Sequence, residues 1–154
     1  MNRRSFLQNA FRTGALASLV TAGLALPKQV WAAWNQKAFK SKSYTDAVGE
    51  LYGNNALADS DNIILKAPDI AENGAVVPIT VESELPNIES ISILVEANPS
   101  PLAAEFKLAP GMRGYASTRL KMGKTSNVHA VVKADGKLYK ATKEVKVTIG
   151  GCGG

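Results

Sequence analysis

The chain has 154 residues, room for one domain, and a formal net charge of +5 from 18 basic and 13 acidic side chains. Four of the basic residues (Arg3, Arg4, Arg12 and Lys28) and none of the acidic ones fall in residues 1–32, so the remainder holds 14 against 13, a net +1, and the charge argument for a nucleic-acid or membrane-surface role disappears. A single cysteine excludes an internal disulfide, and a single histidine leaves a zinc cluster short of ligands and a Ser-His-Asp triad without identifiable partners.

Residues 1–32 read as an export leader: a basic start, a moderately apolar stretch from Gly14 to Leu26, and a small-residue exit at Val30-x-Ala32, too short and too weakly flanked for a membrane span. Arg3-Arg4 followed by Ser5, Phe6 and Leu7 makes it twin-arginine in kind, with Gln8 where a basic residue is common. The expected destination is a bacterial periplasm, reached by the twin-arginine pathway, with no membrane insertion of the mature chain. An odd cysteine in an exported protein is then either reactive or paired with another chain.

Residues 33–60 form an N-terminal segment of mixed character. Thr45 or Asp46 is placed to cap a short helix through Val48, Leu51 and Tyr52 that ends at Gly53-Asn54 and packs on the outside or against a partner. From residue 61 to 149 the pattern turns to short strands with turn signals between them: 62–67, 75–82, 88–97, 103–109, 115–121, and a last hairpin whose Asp135-Gly136 is a strong short turn. Val77, Ile79 and Val81 offer one face, as do Ile91, Ile93 and Val95, while Pro78 argues for an edge strand or a bulge. Six or seven such strands predict an all-β fold, an antiparallel immunoglobulin-like sandwich with a short N-terminal helix. His129 reads as an ordinary strand residue between Val128 and Ala130. Asn73-Gly74 reads as a turn, Asn98-Pro99-Ser100-Pro101 as a rigid bend, and Arg113, Arg119, Lys121 and Lys124 as a solvated face.

The end of the chain is different. Apolar alternation through Val145, Val147 and Ile149 stops at Gly150-Gly151-Cys152-Gly153-Gly154. Cysteine is normally among the most buried residue types, yet here it has no neighbouring side chain to pack with. Glycines lose the most entropy on ordering, so residues 150–154 are expected to leave the domain as a slim mobile arm that can enter a narrow channel in another protein. A thiolate is a good nucleophile whose sulfur adducts can be exchanged or cleaved, which suggests a covalent carrier. No cation adjoins Cys152 in sequence, so activation is expected from whichever partner receives the arm.

These stretches carry a resemblance. Through APDIAENGAVVPITVE, NPSPLAAEFKLAPG, STRLKMGKTSNVHAVVKADGKLY and above all the terminal GGCGG, residues 45–154 resemble the SoxY family, the sulfur-carrying subunits of the bacterial thiosulfate-oxidising (Sox) system. The resemblance implies a heterodimer with SoxZ, itself a small sandwich protein. It implies loading of thiosulfate onto Cys152 by the c-type-haem enzyme SoxAX, and release of sulfate by the dimanganese hydrolase SoxB. In some organisms the sulfane dehydrogenase SoxCD then oxidises the remaining sulfur. The carrier itself would be no enzyme and would hold no cofactor, with no catalytic or metal residues of its own. Two other readings compete: a carrier using the Gly153-Gly154 carboxylate as a thiocarboxylate, and a periplasmic assembly module whose cysteine merely cross-links subunits.

Overall fold

The computed structural model describes residues 34–53 and 56–148. The chain divides into two units, Met1–Trp34 and Asn35–Gly154; of the first only Trp34 is described. The expected leader with Arg3 and Arg4, and the terminal Gly150, Gly151, Cys152, Gly153 and Gly154, lie outside the described residues.

The helical part begins one element earlier than the sequence predicts. A five-residue helix, α1 (Gln36–Lys40), precedes α2 (Tyr44–Tyr52). α1 is too short to show a hydrophobic period, but the Asn35 side chain caps it by accepting from Ala38 N, and the Asn35 amide donates to the Glu50 carbonyl at 2.7 Å, tying the two helices together. The cap of α2 is Ser43, not Thr45 or Asp46. Its backbone is extended (φ −126°, ψ 155°), its hydroxyl accepts from Asp46 N, and Asp46 is left in the first turn where the helix dipole favours a carboxylate. Gly53 ends the helix at φ 72°, ψ −153°, a backbone conformation open essentially to glycine alone.

Nine strands follow among the described residues: β1 (Leu57–Asp59), β2 (Ile63–Lys66), β3 (Ile70–Ala71), β4 (Val77–Ser83), β5 (Ile88–Val95), β6 (Leu102–Lys107), β7 (Gly114–Leu120), β8 (Ser126–Ala134) and β9 (Lys137–Val147). One sheet runs β1-β9-β8-β5-β6 with β3 also on β9; the other is β2-β4-β7. The fold is an all-β, immunoglobulin-like sandwich. Between the sheets lie the alternating positions expected from sequence: Val77, Ile79 and Val81 from β4, Ile91, Ile93 and Val95 from β5, with Val128, Ala130 and Val132 from β8 and Val145 from β9, all fully buried. Strands with period-two apolar residues can bury one face this way only in one register. Asp135 (φ 50°) and Gly136 (φ 69°) both take the left-handed turn that matches strand twist in a two-residue hairpin between β8 and β9.

Two expectations need correction. Pro78 is not on an edge strand, because β4 is the centre of the smaller sheet; β2, however, stops opposite Thr80, so the strand is locally an edge where Pro78 lacks its N–H. The sandwich is also not wholly antiparallel: β1 and β3, neither foreseen, both pair with β9 in parallel. Three and two residues long, they offer no alternation to read.

The outer face of the larger sheet is covered by the helices. Leu94, Leu102, Val131 and Leu138 form a second buried cluster with Ala38, Ala47 and Val48. Ser90 and Ser92, which alternate with Ile91 and Ile93, turn to this side, where the Tyr52 hydroxyl lies 2.7 Å from Ser92 Oγ. The helix therefore packs on the outside of its own sandwich. Leu94 is fully buried at the centre of this contact, so Leu94→Ala is expected to cost about 2–5 kcal/mol of stability. Urea unfolding followed by circular dichroism checks this.

Candidate functional site

The residues singled out at the terminus lie outside the described part, so the site is the root from which they emerge. β9 pairs with β8 from Lys137 opposite Ala134 to Val145 opposite Ser126. Ser126 is the first residue of β8, so the pairing stops there, and the next three residues of β9 and beyond find other partners on alternating sides, as strand geometry requires. Lys146 N donates to Asp69 O (3.0 Å), Val147 N to the hydroxyl of Thr125 (3.0 Å), and Thr148 N to Ala71 O (3.2 Å). On one side β3 pairs Ile70 with Lys146 and Ala71 with Val147; on the other, the Thr125 hydroxyl stands where the neighbouring strand has run out.

The segment that supplies β3 is the one containing Asn73-Gly74. It does form the expected turn: Asn73 Oδ1 accepts from Ala75 N at 2.9 Å and its carbonyl from Val76 N at 3.2 Å. Gly74 also packs against the root of the terminus. A Cβ there would collide with the Met122 carbonyl oxygen and lie 2.8 Å from Val147 Cγ1, while the Gly74 carbonyl accepts from Met122 N at 2.7 Å. Only a residue without a side chain allows this approach.

Two further side chains, Lys143 and Asn98, fix the walls of this collar. Lys143 donates to Ala67 O (2.6 Å) and pairs with Asp69 (2.9 Å); that hydrogen bond and charge, with Lys146 nearby, hold the Asp69 carboxyl below its usual range. Asn98 donates to Lys121 O at 2.7 Å and accepts from Gly123 N at 3.3 Å, so the Asn-Pro-Ser-Pro bend braces the turn that carries Met122 and Thr125. Sequence reading missed Thr125, Asn98 and Lys143 as site residues, since polar residues in strands and turns carry no signal until their partners are known. Arg113, Arg119, Lys121 and Lys124 are all exposed, with Lys121 and Lys124 in the collar turn and the arginines along or beside β7.

His129 lies elsewhere, on the helix-covered face, 8% exposed. Its Nδ1 is 2.9 Å from the Thr142 hydroxyl and its Nε2 is 3.4 Å from the Glu96 carboxylate, which Asn127 also engages at 3.1 Å. Its ring lies 4.4 Å, centroid to centroid, from that of Tyr44 on α2. Burial pushes its pKa below 6.5, with Lys140 adding to the shift, and outweighs the opposing pull of Glu96. Among the described residues no group of three His, Cys, Asp or Glu is placed to hold a metal ion.

A sandwich body whose final strand is hydrogen-bonded on both sides as far as Thr148 defines an immunoglobulin-like domain. A family model described as "Sulfur oxidation protein SoxY" matches residues 48–152. The sulfur carrier protein SoxY from Chlorobium limicola f thiosulfatophilum is 48% identical, superposes with a TM-score of 0.64, and is covered over 96% of its length by 68% of this chain. The chain belongs to the SoxY family of sulfur carriers. Superoxide reductase (neelaredoxin) from Ignicoccus hospitalis (19% identity, TM-score 0.53, 60% of this chain and 95% of that one) and a point variant of the same reductase (20%, 0.51, 69% and 93%) share the fold alone. No curated protein matches the chain.

The His129 environment sets a pH dependence. With the folded pKa below the unfolded one, the unfolded chain takes up the proton first, so the stability linked to His129 is complete above pH 6.5 and declines as pH falls from there toward the folded pKa. His129→Gln is expected to flatten this part of the pH profile, read as urea midpoints at stepped pH between neutral and mildly acidic buffer; an unchanged slope would assign it to other groups.

Proposed function

We propose that this protein is an exported, periplasmic carrier in thiosulfate oxidation that holds sulfur intermediates covalently on Cys152, with Gly150, Gly151, Gly153 and Gly154 keeping the arm slim. The observation that carries this reading is the two-sided hydrogen bonding of the last strand up to Thr148, four positions before the chain's one thiol. Four residues extend at most about 14 Å. A thiol on such an arm is within reach of a foreign active site while the body stays outside.

The chemistry proceeds in steps that the carrier hosts and partners perform. In loading, the Cys152 thiolate and thiosulfate form a sulfur–sulfur bond and surrender two electrons to the haem enzyme SoxAX, giving a cysteine S-thiosulfonate. In hydrolysis, SoxB adds water to the outer sulfone, sulfate and two protons leave, and a persulfide anion remains on Cys152. Where SoxCD is present, it oxidises that sulfane sulfur. SoxZ is the companion subunit in a heterodimer. SoxY-family membership and the 48% identical sulfur carrier support this assignment.

Cys152→Ser is expected to abolish thiosulfate-dependent turnover while circular dichroism and partner binding stay as in the parent chain. Intact-mass analysis after incubation with thiosulfate and the haem enzyme should place the adduct on Cys152; an adduct on the Gly154 carboxylate would instead mean a thiocarboxylate carrier. Gly151→Trp and Gly153→Trp should slow processing by partner enzymes without altering the melting temperature. Parental turnover by both would remove the argument from a slim arm.

A further inference from the structure

We propose that the collar around Val147 and Thr148 is a latch that sets the working length of the carrier arm, and that Thr125 and Gly74 are positioning residues for the reactions at Cys152. The inference rests on the carrier reading above and adds to it a device that secures the strand beyond its pairing with β8, as far as Thr148.

The backbone partners of β9 show why a latch is needed. β8 begins at Ser126, opposite Val145, so without further contacts the paired part of β9 would stop there. Cys152 would then hang on seven residues, a reach of about 25 Å, in place of the four residues and about 14 Å that follow Thr148. The three intervening residues are each secured by a partner from outside the hairpin. Asp69 and Ala71 take the amides of Lys146 and Thr148 on one edge, and Thr125 takes that of Val147 on the other. The Thr125 hydroxyl is the contact on the β8 side, so it closes the latch.

Gly74 closes it from a second direction. Its carbonyl is bonded to Met122 N, and its missing side chain lets the Asn73-Gly74 turn lie against both the Met122 carbonyl and the Val147 side chain. Met122, itself fully buried, is three residues before Thr125, so the turn that holds Gly74 and the hydroxyl that holds Val147 move as one piece. Lys143 fastens the other end of the β3 segment through Ala67 and Asp69. None of these residues is within the arm, and none is offered as a group that touches substrate.

A shorter tether keeps the thiol at higher effective concentration near a docked enzyme and leaves fewer residues to be ordered in its channel. Opening the latch should therefore weaken productive capture more than it slows the chemical step. The test uses the full mature carrier with its companion subunit, thiosulfate and the haem enzyme that loads Cys152. Thr125→Val keeps the shape of the side chain and removes the acceptor; Thr125→Ser keeps the acceptor. The valine variant is expected to raise the KM for carrier about twofold, as the −3/2 power of a tether lengthened from four to seven residues gives, with kcat unchanged, and to accelerate amide exchange at Val147. Thr125→Ser should restore both. Gly74→Ala, which forces the turn off Met122, should reproduce the valine phenotype, and alkylation of Cys152 by iodoacetamide should proceed at one rate in all variants.

Parental KM in Thr125→Val despite faster exchange at Val147 would overturn the latch, as would unchanged exchange at that amide. If the parent chain itself gains no adduct on Cys152, the carrier reading fails and the latch with it. The mass spectrum of the unmodified parent separates that failure from the first two.

Discussion

The structure depends on β9 being hydrogen-bonded along both edges. On one edge it carries β8 over nine residue pairs, and on the other it takes β1 near its start and β3 near its end, both in parallel. A strand so placed has little free edge to fray or to pair with a second chain. It is the last element of the described body, and its backbone partners continue as far as Thr148.

The three-layer arrangement serves the same end. The smaller sheet fills the inner face of β5, β8 and β9 with branched aliphatic side chains, and the helices cover the outer face through Leu94, Val131 and Leu138. Polar side chains on the outer face are engaged by tyrosines: Ser92 by Tyr52, and His129, in ring contact, by Tyr44. The Tyr44 hydroxyl, by contrast, is buried without a hydrogen-bond partner among the described residues. Burial raises its pKa, as it lowers that of His129, and the two rings remain neutral at neutral pH. The helix contact is thus built from apolar area and neutral aromatic groups, while charge pairs such as Lys66–Glu82 and Lys133–Glu89 stay at the surface. On the carrier reading, recognition by the body and chemistry on the terminus are physically separate.

What the sequence revealed follows from which forces leave a local trace. Alternation through Val77, Ile79 and Val81 and through Ile91, Ile93 and Val95 marks strands because each residue faces the core or solvent by parity, and Asp135-Gly136 marks a hairpin because its turn requires left-handed backbone. Cys152 among glycines was conspicuous because a residue that is usually buried has nothing beside it there to be buried against. β1 and β3 were invisible, since their identity as strands comes from β9 rather than from their own residues. The two short helices were half legible: Gly53 announced an end, but Ser43 and Asn35 become caps only once the backbone before each helix is known. Thr125 and Gly74 acquire their meaning entirely from Val147, 22 and 73 positions away. Asn73-Gly74 was readable as a turn, but not as one that packs on Val147.

The carrier reading requires that rigidity end just beyond Thr148 and that Cys152 lie on the mobile side of that boundary. Nitrogen-15 relaxation on the unmodified mature chain tests this residue by residue. The account predicts order parameters of about 0.85 from Val145 through Thr148, falling below about 0.6 at Gly151 and Cys152. A rigid Cys152, or a fall that begins already at Lys146, would contradict it.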